Sequence, residues 1–137
     1  DAATARDWLQ AQNPASRECW IAGFSFGSWI GMQLMMGRPE IQGFIAATPP
    51  ALTHDFSFLA PCPASGLIVH GEEDEQVPSD AIYKLVDRLS IQKGVKIDID
   101  LISGANHFFT DHLDPMIERI STYLDKTFGE PNFDPLA

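Results

Sequence analysis

Three observations predict an α/β fold in which a predominantly parallel sheet is flanked by helices. Short apolar runs alternate with amphipathic segments along the 137 residues. The first three of these runs are nearly continuous in apolar residues, as strands buried on both faces are. Glycine and proline stand where helices must start or stop.

Residues 2–11 (AATARDWLQA) read as a helix closed by Asn13 and Pro14. Cys19–Phe24 (CWIAGF) is too short for a buried helix and reads as the first strand. In the segment that follows, Ile30, Leu34, Met35 and Met36 form overlapping apolar faces, and Gly37 and Pro39 end it. Met32, Met35 and Met36 read as core filler. Gly43–Ala47 (GFIAA) is the second strand, followed by Thr48, Pro49 and Pro50. A polar loop dotted with aromatic residues leads through Pro61 and Pro63 to a third strand, Gly66–His70 (GLIVH).

Pro78 and Ser79 open a helix that carries Ile82, Leu85, Val86 and Leu89 at i, i+3, i+4 and i+7. Lys96–Ile102 (KIDIDLI) alternates and reads as the fourth strand. The last helix carries Ile117, Ile120, Leu124 and Phe128 on one stripe. Pro115 suits its first helical position, with Asp114 as its cap. The tail after Gly129, EPNFDPLA, reads as a surface extension.

Composition narrows the functional classes. Nine basic residues against nineteen acidic ones give a formal net charge of -10. That field repels phosphate backbones and anionic membranes, so neither nucleic acid nor a membrane is an expected partner. No stretch approaches the roughly 20 apolar residues that span a bilayer. Cys19 and Cys62 read as two buried thiols, which suits a reducing, cytoplasmic setting; a single disulfide is the alternative. The chain begins at Asp1 in helix-like sequence. The sequence leaves the oligomeric state open, a dimer included.

Gly23-Phe24-Ser25-Phe26-Gly27 is the segment that carries chemistry. A G-x-S-x-G match arises by chance in roughly one chain in twenty of this length, so its setting must decide. An apolar strand precedes it and a helix follows. A serine at such a corner is forced into a strained backbone, with its hydroxyl clear of the sheet edge. Gly23 and Gly27 are expected to lack side chains because strand and helix nearly touch there.

A serine hydroxyl needs a base within hydrogen-bond reach. Of the four histidines, His54 lies in the proline-bounded loop, His70 ends a strand, and His112 stands near the start of the last helix. His107 alone sits in a loop directly after a strand, on the side of a parallel sheet where Ser25 must also emerge. The acid that orients it should follow a strand too. Gly71-Glu72-Glu73-Asp74-Glu75 does so, and Asp74 is the choice because Val77 and Pro78 can pin the loop beyond it; the rival is a solvated acidic rim. The order Ser25, Asp74, His107 is the α/β-hydrolase order rather than that of chymotrypsin or subtilisin.

The segments GFSFGSWIG, HGEEDEQVP and GANHFF resemble the bacterial α/β-hydrolase superfamily, in the branch of dienelactone hydrolase and the small acylhydrolases, most of all a lidless group within it. The resemblance covers nearly the whole chain. It implies an α/β-hydrolase fold, with Ser25 as nucleophile, Asp74 as acid, His107 as base and the backbone N–H of Phe26 as one oxyanion donor. Asn106 stands where similar proteins often carry aspartate. Such domains have several strands before the serine corner and an early loop that gives a second oxyanion donor. Here at most one helix precedes Cys19, and no His-Gly-Gly loop is found. Residues 1–129 are therefore expected to be part of such a domain, its N-terminal portion lying outside this sequence, and residues 130–137 an extension. The segment alone is expected to turn over little substrate.

The expected activity is cleavage of a small carboxylic ester or thioester through an acyl-enzyme on Ser25. A non-catalytic interaction domain, or an amidase or acyltransferase on the same fold, is the alternative. No cofactor and no metal are expected. His107 and His112 stand five apart without an H-E-x-x-H pattern, and the glycines of residues 23–31 lack the spacing and lysine that a nucleotide loop needs. Trp29, Phe56, Phe58, Phe108 and Phe109 are candidates either for an acyl pocket or for the core. The stretch from Thr48 to Ala60 is too short for a substantial lid.

Overall fold

The computed structural model describes residues 19–59, 61–91 and 94–128. The helix expected over residues 2–11 and the extension over 130–137 lie outside the described residues. Four strands, β1 (Trp20–Phe24), β2 (Gly43–Ala47), β3 (Ser65–Gly71) and β4 (Ile97–Ile102), form a sheet in sequential order. All three pairings are parallel. Three helices flank it: α1 (Phe26–Met36), α2 (Ser79–Leu89) and α3 (Leu113–Phe128). The chain crosses from β2 to β3 by a loop containing a 3₁₀ turn, Ser57–Leu59.

Alternation along β2 and β3 sorts their side chains into two layers. Phe44, Ala46 and Ile68 join Met32 and Met35 of α1, Ile82, Leu85 and Leu89 of α2, and Phe56 and Leu59 of the crossover loop. On the opposite face Ile45, Ala47, Leu67 and Val69 pack with Phe109 and with Met116, Ile120 and Leu124 of α3. Every residue of β2 is buried, as is β3 from Gly66 onward, which accounts for their unbroken apolar sequences. No helix among the described residues is long and apolar enough to cross a membrane.

Three details differ from the sequence reading. The buried face of α1 is Ser28, Gly31, Met32 and Met35, whereas Met36 is 40% exposed. This helix is apolar nearly all round, so periodicity could not pick its inner face. α3 begins at Leu113, so Asp114 and Pro115 lie inside its first turn. Proline is tolerated there because first-turn N–H groups have no intrahelical acceptor. The inner side of α3 is Met116, Ile120, Tyr123 and Leu124, which leaves Ile117 and Phe128 exposed. Both thiols are free, and Cys62 is buried while Cys19 is half-buried.

Candidate active site

The three loops that leave the carboxyl ends of β1, β3 and β4 carry Ser25, Asp74 and His107, and parallel pairing puts those ends on one side of the sheet. Ser25 occupies the corner between β1 and α1 with φ 52° and ψ -119°. Its backbone is held on both sides. Its N–H donates to the Ala47 carbonyl at 2.7 Å, and its carbonyl accepts from the N–H and hydroxyl of Ser28 at 2.9 and 2.6 Å. A side chain at Gly23 would place its Cβ 2.6 Å from the Gly27 carbonyl oxygen and from Ser28 Cα. Gly23 is therefore required where strand meets helix. Gly27 differs from expectation, because a Cβ there meets nothing within 4 Å.

Asp74 lies in a turn that begins at Gly71, where its N–H donates to the Gly71 carbonyl at 3.1 Å. Its neighbours Glu72, Glu73 and Glu75 are exposed, while Asp74 is buried. Its Oδ1 accepts the N–H groups of Gln76 and Val77, both at 2.8 Å. Its Oδ2 faces His107 Nδ1 at 2.7 Å. A carboxylate can only accept, so Nδ1 carries the proton and Nε2 is bare. Ser25 Oγ stands 3.0 Å from that Nε2. The hydroxyl donates to the imidazole, and the imidazole donates to the carboxylate.

The acid loop and the base loop are built as one unit. The N–H of Glu72 donates to the Ile102 carbonyl at 3.0 Å, and that of Glu73 to the Ala105 carbonyl at 2.9 Å. Gly71 permits this approach, since a Cβ there would lie 2.5 Å from the Ala105 oxygen. Beyond His107 the loop turns on Asn106, whose Oδ1 accepts the N–H groups of Phe108 and Thr110 at 3.1 and 3.0 Å. A carboxylate at position 106 could accept the same two bonds, so the departure from aspartate keeps the turn.

Phe26 is the first residue of α1, directly after Ser25, and the N–H groups of a helix's first turn have no intrahelical acceptor. Aromatic rings pack against His107 and Phe26. His107 packs edge-on against Phe108 at 5.0 Å and lies 6.0 Å from Phe24. Phe26 contacts Trp29 and His54 at 5.6 and 5.4 Å. Of the aromatic residues weighed for an acyl pocket, Phe56 and Phe109 are core and Phe108 is exposed. Phe24 and Phe26 are exposed as well, at 41% and 54%. Sequence reading missed their side chains, although their places on either side of Ser25 could have suggested them. A cavity of about 460 Å³ lined by Asp98, Asp100, Arg119 and Lys126 lies along β4 and α3 and includes no residue of the trio.

A parallel sheet with a strained serine at a strand-to-helix corner, joined to a histidine and an aspartate from later loops, defines an α/β hydrolase. A sequence model of the dienelactone hydrolase family matches residues 1–126. The chain belongs to that family. It is 49% identical over 128 residues to an uncharacterized protein of Rickettsia prowazekii, covering 90% of this chain and 54% of that protein. Among solved structures, a protein of unknown function from Agrobacterium tumefaciens, assigned to the alpha/beta hydrolases, superposes with a TM-score of 0.91 at 49% identity; the match covers 95% of this chain and 60% of that one. A serine hydrolase without a lid from Xanthomonas campestris superposes with a TM-score of 0.73 at 30% identity, covering 85% and 50%. The chain thus spans between half and three-fifths of the length of these relatives.

Proposed function

We propose that this chain carries the catalytic trio of a serine hydrolase that cleaves a small carboxylic ester or thioester. The observation that carries the reading is the continuous relay from the Ser25 hydroxyl through His107 to the buried Asp74 carboxylate, at 3.0 and 2.7 Å. Family membership supports the same chemistry.

In this mechanism Ser25 Oγ bonds to the acyl carbon while its proton passes to His107 Nε2. Asp74 holds the imidazole in the tautomer that leaves Nε2 bare, and it stabilises the imidazolium that forms. The negative oxygen of the tetrahedral intermediate rests against the Phe26 N–H. The bond to the leaving alcohol or thiol then breaks as Nε2 returns its proton to that group. In the second half, His107 takes a proton from water, hydroxide adds to the acyl-enzyme, and the Ser25 oxygen leaves with the proton. The products are a carboxylic acid and an alcohol or thiol. No step needs a redox partner.

The exposed rings of Phe24, Phe26 and Phe108 suit an apolar acyl or leaving group. We take residues 1–129 as part of the hydrolase domain and 130–137 as an extension beyond the family match. The free thiols of Cys19 and Cys62 support placing the protein in the cytoplasm. A panel of short esters, thioesters and amides offered to the full-length gene product tests the reading. Ester or thioester turnover that disappears in Ser25→Ala and His107→Ala supports it. Preference for amides moves the reading to an amidase, and a folded protein inert toward the whole panel contradicts it in favour of an interaction domain.

A further inference from the structure

His70 is fully buried at the end of β3, four residues before Asp74, and the mechanism above makes no use of it. Its Nε2 stands 2.7 Å from the carbonyl oxygen of Val77. A carbonyl only accepts, so the ring must carry its proton on Nε2. The same Val77 donates its own N–H to Asp74 Oδ1 at 2.8 Å. His70, Val77 and Asp74 therefore form a chain of contacts that closes on His107, because Asp74 Oδ2 is the atom His107 Nδ1 meets at 2.7 Å.

The ring does not act as a charge. Burial holds the His70 imidazole below its ordinary range, outweighing the Val77 bond and the Asp74 carboxylate, which favour protonation; His107 also disfavours it. Its Nε2 lies 3.8 Å from Asp74 Oδ2, too far for a hydrogen bond. A neutral donor to Val77 is what remains. Nor does the position need a histidine for filling. Nδ1 is buried with no hydrogen-bond partner among the described residues, and an apolar side chain would occupy the space without an acceptor to satisfy.

We infer that His70 is a positioning residue for the catalytic trio: its Nε2–H fixes the Val77 peptide, and that peptide fixes the Asp74 carboxylate in the orientation that His107 meets. The inference rests on the serine-hydrolase reading. Asp74 sits in a turn whose Glu72, Glu73, Glu75 and Gln76 side chains are exposed, so its carboxylate depends on the Gln76 and Val77 peptides for its direction. Of those two peptides, Val77 is the buried one, and the His70 ring is the side chain bonded to its carbonyl. Releasing that carbonyl lets the turn rotate. Oδ2 then drifts from Nδ1, and the imidazolium loses part of its stabilisation.

The test uses the full-length gene product and two substitutions. His70→Gln keeps an N–H donor of similar reach, and His70→Leu fills the space without one. The rate of Ser25 phosphonylation by a fluorophosphonate is followed against pH, with kcat and KM on a short ester and a thermal melt for each protein. His70→Gln is expected within about threefold of wild type. His70→Leu is expected to lose roughly ten- to a hundredfold in labelling rate and kcat, the scale of small misplacements in active sites. Its KM should hold within about twofold, and the acid limb of its profile should move to lower pH as His107 loses support. A folded His70→Leu protein with the wild-type rate and profile overturns the inference, as do equal losses in both variants with an unmoved profile. Should the leucine variant fail to fold, His70→Asn, whose amide is too short to reach Val77, replaces it under the same criteria. Failure of wild type to label at Ser25 would instead sink the serine-hydrolase reading.

Discussion

The backbone N–H of Glu73 donates to the carbonyl of Ala105 at 2.9 Å, one residue before the acid of the trio and two before its base. Asp74 and His107 are 33 residues apart in sequence, yet they ride on loops joined to each other directly. Main-chain bonds thus bring the two loops together, and the Asp74–His107 hydrogen bond is made within that frame. Preorganisation of this kind is what a proton relay requires.

Asp74→Asn tests the relay with little change of shape. An amide can turn its NH₂ toward Nδ1, which favours the tautomer with the proton on Nε2, where it can no longer receive one from Ser25. We expect kcat to fall by on the order of 10³–10⁴ with KM little changed, measured on a short ester. Glu73→Gln, one residue earlier and exposed, should leave kcat within about twofold.

Gly71→Ala tests the joining of the loops. The added Cβ would lie 2.5 Å from the Ala105 oxygen and 2.6 Å from that of Asn106, both backbone atoms that cannot swing away. Crowding of this kind costs about 1–3 kcal/mol. We expect a lower melting temperature together with a loss of ester turnover. Gly37→Ala, where a Cβ meets nothing within 4 Å, should show neither change.

The two glycines of the serine motif should not respond alike. Gly23→Ala drives a Cβ to 2.6 Å from the α1 backbone and should abolish turnover or folding. Gly27→Ala meets open space and should remain folded, by circular dichroism and thermal melt. A motif written as two glycines hides this asymmetry, because their spacing records nothing about which one the helix approaches.

Acid stability should carry the mark of His70. Burial lowers its pKa from 6.5, so below that pH the unfolded chain takes up a proton that the folded protein refuses. The unfolded state then binds more protons, and stability is lost as pH falls from 6.5 through the folded-state pKa. The slope from one such group reaches at most about 1.4 kcal/mol per pH unit. Urea unfolding between pH 7 and 5 should show a shallower decline in His70→Gln than in wild type.

Much of this arrangement is legible in the sequence. Continuous apolar runs mark the first three strands and alternation marks the fourth, and β2 matches its sequence reading at both ends. The stripe of Ile82, Leu85 and Leu89 is the buried face of α2. What escaped was whatever depends on a distant partner. α1 has apolar residues on several sides, so the packing of the sheet alone decides that Met35 is inside and Met36 outside. Phe108 and Phe109 are adjacent and chemically identical, yet one is exposed and the other is core, because Phe109 adopts a left-handed φ of 55° as the loop turns. The bond from His70 to Val77 spans a turn whose shape no local pattern encodes.

Labelling of the full-length gene product with a fluorophosphonate, followed by peptide mass spectrometry, tests the central claim most directly. We expect a single phosphonyl adduct on the peptide containing Ser25, formed more slowly by at least about a hundredfold when His107 is replaced by alanine. A folded protein that forms no adduct at Ser25, or one whose labelling is indifferent to His107, would contradict it.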